Sequence, residues 1–148
     1  MNSRAAFLVS FFLILGRIPL TAFAAEPVRV NAAVLVASNE GSDFDLDNDA
    51  YRDRLIQLFS NTHYRQLDVK SLELSKSKRV KLKLPEGYEL VLTLQDREKK
   101  RILAQAVIRK GNQSYVDTVL AMASPGVAFL GGPPVEGGTL IIVLESGF

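Results

Sequence analysis

The chain contains no cysteine, no tryptophan and a single histidine, His63. Without cysteine there is no disulfide framework, no thiol nucleophile and no thiolate metal site. One histidine and no cysteine also leave too few soft ligands for a zinc centre. A Ser-His-acid relay would have to use His63, which lies in the polar stretch Asn61-Thr62-His63-Tyr64. No Gly-x-Ser-x-Gly elbow exists to supply the nucleophile, so His63 reads as a surface or helix-end residue. Internal repeats and long linkers are also absent. At 148 residues, the length suits one domain together with a processed segment.

The sequence begins with an export signature. Arg4 gives a short positive region, Ala5 to Gly16 is mostly apolar, and Ala22-Phe23-Ala24 places small residues where a signal peptidase reads. Arg17 and Pro19 interrupt the apolar run before the ~20 residues a membrane-spanning helix requires. Residues 1–24 are therefore expected to be a cleaved secretory signal, and 25–148 a single β-rich domain. No integral membrane segment is expected after cleavage. Periplasmic or secreted localisation follows. The charge balance changes with it. The whole chain has 18 Lys+Arg, 16 Asp+Glu and a net charge of +2. The leader carries Arg4 and Arg17 and no acid, so its loss leaves a neutral domain. The basic pI near 9.0 is then no argument for nucleic-acid binding, and none is expected.

Along the remaining chain, Val28, Val30, Ala32, Val34 and Val36 recur at period two, the mark of a strand. Tyr51, Leu55, Leu58 and Phe59 recur at helical spacing and predict one helix, with Asp47 or Asp49 at its N-terminus and Ser60-Asn61 at its end. A strand over 64–75 has an alternation that slips near Lys70-Ser71, which predicts a bulge or an edge. Residues 79–94 give the clearest hairpin. Val80, Leu82 and Leu84 pair with Leu92, Leu90 and Tyr88 across Pro85-Glu86-Gly87, and Lys83 falls opposite Glu89. Strands at 101–109, 114–122, 127–130 and 139–144 follow. The last is apolar on both faces and so belongs in the middle of a sheet. The expected fold is mainly β with one α-helix after the first strand. It is an antiparallel sandwich or partly open barrel of about eight strands, the helix covering an opening or edge.

Three constellations are candidate sites. Asp43, Asp45, Asp47 and Asp49 alternate along an acidic loop, and clustered carboxylates suit a hard cation such as Ca2+. The EF-hand pattern fails, because Asn48 stands where its glycine and Arg54 where its glutamate would be. The bland reading is a solvated acidic loop at a helix start. No other cofactor is expected. Arg79, Lys81 and Lys83 form a basic stripe on one strand face, spaced about 6.8 Å apart. Lys76 and Lys78 extend it, and Lys99, Lys100 and Arg101 form a second cluster. The stripe lacks the outward aromatics that stack nucleic-acid bases. It suits an anionic surface or polymer, or simply a solvated sheet face. Gly131, Gly132, Gly137 and Gly138 fall in a glycine-rich loop that joins two strands. No Gly-Lys-Ser/Thr follows, so it is no phosphate cradle. It is either a demanding β-connection or a ligand and assembly contact.

The string Val34-Leu35-Val36-Ala37-Ser38-Asn39, the Tyr51/Leu55/Phe59 helix and the closing Leu130-Gly131-Gly132-Pro133-Pro134 with Gly137-Gly138-Thr139-Leu140-Ile141 resemble a group of small exported bacterial proteins of unknown function. The resemblance implies a bacterial envelope setting and transfers no activity. Three functions follow as expectations. The first is a non-enzymatic binding or assembly module that contacts another envelope protein or polymer. The second is a carboxylate-based hydrolase of an envelope polymer, with no particular acid pair indicated. The third is a calcium-dependent binding module.

Overall fold

The computed structural model describes residues 26–46 and 49–147, with only the backbone of Asp49. The expected signal segment, the side chains of Asp47 and Asp49, and Phe148 lie outside the described residues. Nine strands and one α-helix follow in order: β1 (Val28–Ser38), β2 (Phe44–Asp45), α1 (Arg52–Phe59), β3 (His63–Leu74), β4 (Val80–Lys83), β5 (Tyr88–Glu98), β6 (Arg101–Lys110), β7 (Gln113–Ala123), β8 (Gly126–Val135) and β9 (Gly138–Ser146). They form a five-stranded sheet, β2-β3-β1-β9-β8, and a four-stranded sheet, β4-β5-β6-β7. The sheets do not close into a barrel, and the pairing is antiparallel except for β2 against β3. The mainly β sandwich with one helix is thus as the alternation predicts. Among the described residues, no helix is long and apolar enough to cross a membrane.

The core has two parts because two strands are apolar on both faces. In β1, Val28, Val30, Ala32, Val34 and Val36 point between the sheets, where they meet Leu90 and Leu92 of β5, Ile102 and Ile108 of β6, and Leu140, Ile142 and Leu144 of β9. Leu35 and Ala37 of β1, with Ile141 and Val143 of β9, point the other way. These outward residues need a cover, and α1 supplies it. Leu55 is fully buried on them, while Tyr51 and Phe59 pack at its sides. Full burial of such a side chain stabilises by roughly 1.5–3 kcal/mol. The Tyr64 hydroxyl donates to the Leu55 carbonyl at 3.0 Å and ties the helix to β3. Burial raises the Tyr64 pKa. Phe44 stacks on Tyr64 at 5.1 Å, and the Arg52 guanidinium sits 4.4 Å above the Phe44 ring.

Several local expectations are corrected. The helix covers the outer face of the five-stranded sheet, not an opening or edge. Leu58 is 55 % exposed, because it lies about 60° around the helix from Leu55 and a lone helix touches a sheet along a narrow line. The N-cap position of α1 is Tyr51, whose side chain makes no capping hydrogen bond; the expected caps, Asp47 and Asp49, have side chains outside the described residues. Ser60 does end it, in the left-handed conformation. The bulge in β3 falls at Leu67, between the Val34–Asp68 and Leu35–Gln66 pairs, three residues before the expected slip. The hairpin register is as expected, Val80–Leu92 and Leu82–Leu90, with the Leu84 amide donating to the Tyr88 carbonyl at 2.9 Å. Its turn needs positive φ at Glu86 as well as at Gly87. The stretch expected as a glycine-rich loop is mostly strand. β8 runs on through Gly131-Gly132-Pro133-Pro134 to Val135, with a register shift between Gly131 and Pro134. Only a tight turn at Glu136-Gly137 joins it to β9. As an edge strand, β8 tolerates the two prolines because one side of its ladder is open.

Candidate functional site

The two outer faces of the sandwich differ. One is roofed by α1. The other, the outer face of β4-β5-β6-β7, has no covering element among the described residues. Alternation places its side chains. Arg79 precedes β4, and Lys81 and Lys83 point outward from it, opposite Val91 and Glu89 of β5. Val91 pairs with Val107 and Thr93 with Gln105 of β6. Val107 then faces Asp117 of β7, and Gln105 faces Val119. Arg79, Val91, Thr93, Gln105, Val107 and Arg109 together line a hollow of about 140 Å³. Gly87, Glu89, Arg109, Gly111 and Asn112 line a shallower depression beside it.

Electrostatics sharpen this face. Glu89, expected to answer Lys83 across the hairpin, instead accepts from Arg109 Nη2 at 2.8 Å and Nε at 3.2 Å. That hydrogen-bonded pairing holds the Glu89 carboxyl below the ordinary range, and Lys81 and Lys83 add to the effect at longer distance. Gln105 Nε2 donates to Asp117 at 3.0 Å. Arg79, Lys81 and Lys83 make no ion pair among the described residues. Of the extensions of the stripe, two are paired, and Lys78, Lys99 and Lys100 make no ion pair among the described residues. Lys76 pairs with Asp96 at 3.3 Å and Arg101 with Glu98 at 3.1 Å. Arg79, Lys81 and Lys83 thus stand in a row on one sheet face with no direct ion pair among the described residues, Glu89 being the nearest acid to feel Lys81 and Lys83. The hollow beside them was not singled out in the sequence, although the outward phase of β5 and β6 carries it in Val91, Thr93, Gln105, Val107 and Arg109.

The four glycines do not gather into one site. Gly131 lies beneath the Phe59 ring, where an added Cβ would sit 3.3 Å from it. Gly132 lets β8 approach Leu140 and, across the core, Ile108. Gly138 is the tightest. A Cβ there would fall 2.0 Å from the Ala37 carbonyl oxygen. Close packing, against the helix at Gly131 and against neighbouring strands at Gly132 and Gly138, accounts for these three, and Gly137 serves the turn with φ +86°. Gly137 and Gly138 also border an open polar depression with Ser38, Asn39, Glu40 and Asn61.

Of the acidic loop, Asp43 and Asp45 are exposed on either side of Phe44, whose ring anchors the segment. The Asp43 carbonyl accepts from the Tyr64 amide at 3.0 Å. Among the described residues, no three of His, Cys, Asp and Glu come together to hold a metal ion. His63 begins β3 with its ring against Gly41, and its buried Nδ1 has no hydrogen-bond partner among the described residues. On the α1 side, the Tyr51 hydroxyl donates to Glu145 at 2.5 Å, within a cavity of about 130 Å³ that also touches Asn31, Gln66 and Val69.

Fold and site together define the chain as a mainly β two-sheet sandwich, helix-roofed on one side and bearing an open, cation-edged sheet face on the other. Comparison with family models, with curated proteins and with solved structures finds no match to it.

Proposed function

We propose that the chain is an exported, non-enzymatic binding module of the bacterial cell envelope, and that it takes an extended anionic polymer on the outer face of β4-β5-β6-β7. The observation that carries this reading is the row Arg79, Lys81 and Lys83, exposed and without a direct ion pair among the described residues, beside a hollow of apolar and hydrogen-bonding groups. No existing ion pair has to be broken for these exposed cations to meet a partner's anions. Their regular spacing of about 6.8 Å suits charges repeated along an extended chain. Val91 and Val107 offer an apolar floor, while Thr93, Gln105 and Arg109 offer donors for hydroxyl or carbonyl oxygens. The leader sequence supports the envelope setting.

Calorimetric titration with an anionic polysaccharide of defined length tests this. Binding is expected to weaken as salt rises, since exposed charges are screened within about 8 Å at physiological ionic strength. Reversing all three charges in Arg79→Glu, Lys81→Glu and Lys83→Glu is expected to reduce affinity at least ~10-fold. Equal binding by the wild type and the reversed variant would remove the proposal.

A further inference from the structure

The sandwich has four sheet edges, and three of them are blunted. On the β3 side, β2 covers only Tyr64 and Arg65, and the rest carries the Leu67 bulge and the charges Asp68, Lys70 and Glu73. β8 has Pro133 and Pro134, and β4 is four residues long with two lysines. Such devices stop strand edges from pairing with other chains. β7 is the least protected, with one charge and one bulge near its start. It is eleven residues long, QSYVDTVLAMA, without proline or lysine, and Asp117 is its one charge.

The open part of this edge is bounded. Tyr115 is bulged out of register between the Ile108–Val116 and Arg109–Ser114 pairs. At the other end, the Ala123 carbonyl accepts from the Ser146 hydroxyl at 2.9 Å. The regular, unblocked stretch is Val116–Met122, and its midpoint is Val119. Val119 is half exposed on the outer face.

We infer that β7 is a homodimerisation edge, pairing antiparallel with β7 of a second copy about a two-fold axis through Val119. A two-fold axis at the midpoint pairs every residue of the stretch, which no other register does. Val119 meets its own copy and loses its exposure. On the inner face Val116 meets Met122 and Thr118 meets Leu120, so the apolar row of the core continues across the junction. Charge selects the same register. An axis at Asp117 sets the two carboxylates opposite, and one at Thr118 sets them diagonally adjacent. The axis at Val119 places each opposite Ala121 and separates them by about 13 Å along the strands. The two four-stranded sheets become one of eight strands, an isologous contact.

Sedimentation of the chain as recovered from expressing cells, over about 1–100 μM, reads the outcome. The wild type is expected to sediment as a dimer. Val119→Lys puts two ammonium groups on the axis and is expected to weaken the dimer at least ~10-fold. Ala121→Lys faces the partner's Asp117 twice per dimer and is expected to tighten it. Both positions are exposed, and an unchanged circular-dichroism spectrum of both variants shows that the fold is kept, while melting is expected to follow the dimer affinity. A wild type that stays monomeric to the highest concentration overturns the inference. A dimer indifferent to Val119→Lys, or one weakened by Ala121→Lys, overturns the edge and its register.

Discussion

Gly138 shows how one hydrogen atom in place of a methyl decides local structure. Its φ of +149° and the Ala37 carbonyl beside it leave no room for a Cβ. Gly138→Ala is expected to destabilise the chain by ~2–4 kcal/mol, the range of backbone clashes that cannot relax into side-chain movement. Chemical denaturation with an unchanged slope would measure it. Glu89 makes a different point at the same scale. Its carboxyl is held low first by the Arg109 hydrogen bonds. A depressed carboxyl stabilises the fold above its unfolded pKa, and that contribution disappears as pH falls through the folded value. The melting temperature of Glu89→Gln should therefore lie below that of the wild type at neutral pH. The gap should close on acidification below the usual carboxylate range, near 4.3. A gap that persists unchanged in acid would mean that the pair does not act through charge.

Helix α1 is short, with Leu55 fully buried while Ile56 and Leu58 stay exposed, and its place depends on the sheet beneath it. Leu55→Ala is expected to cost ~2–5 kcal/mol as a core cavity, while Leu58→Ala stays within about 0.5 kcal/mol. Thermal denaturation of the pair separates the two positions, and equal losses would contradict the helix orientation. The difference explains what could be read in advance. Period-two strands and the 79–94 hairpin were legible because alternation and the Pro-Glu-Gly turn agree locally. The burial of β9 on both faces was legible from Leu140 to Leu144. The helix stripe was legible only in part, since the sheet's curvature and neighbours decide how much of a helix is touched. The Gly131–Val135 strand was read as a loop because glycine and proline signal turns, yet at an edge strand with a close-packed neighbour the same residues serve packing. The stripe Arg79, Lys81 and Lys83 was visible from its spacing. Which acids pair with which bases was not, because the partners of Glu89, Asp96 and Glu98 are set by which strands and turns the fold brings alongside them.

At the scale of the whole molecule, the two sheet faces divide the labour. The face under α1 is closed by Leu55, Tyr64, Ile141 and Val143. The opposite face keeps its cations and its hollow open to solvent, and pairing at β7 would set two such faces side by side in one continuous sheet. The central claim is that this open face is the binding surface. Backbone amide shifts followed by nuclear magnetic resonance during titration with an anionic polysaccharide test it most directly. The account predicts that the perturbed amides cluster at 79–83, Val91, Thr93, Gln105, Val107 and Arg109, with those of α1 unmoved. Perturbations confined to the helix-roofed face, or none at saturating ligand, would contradict it.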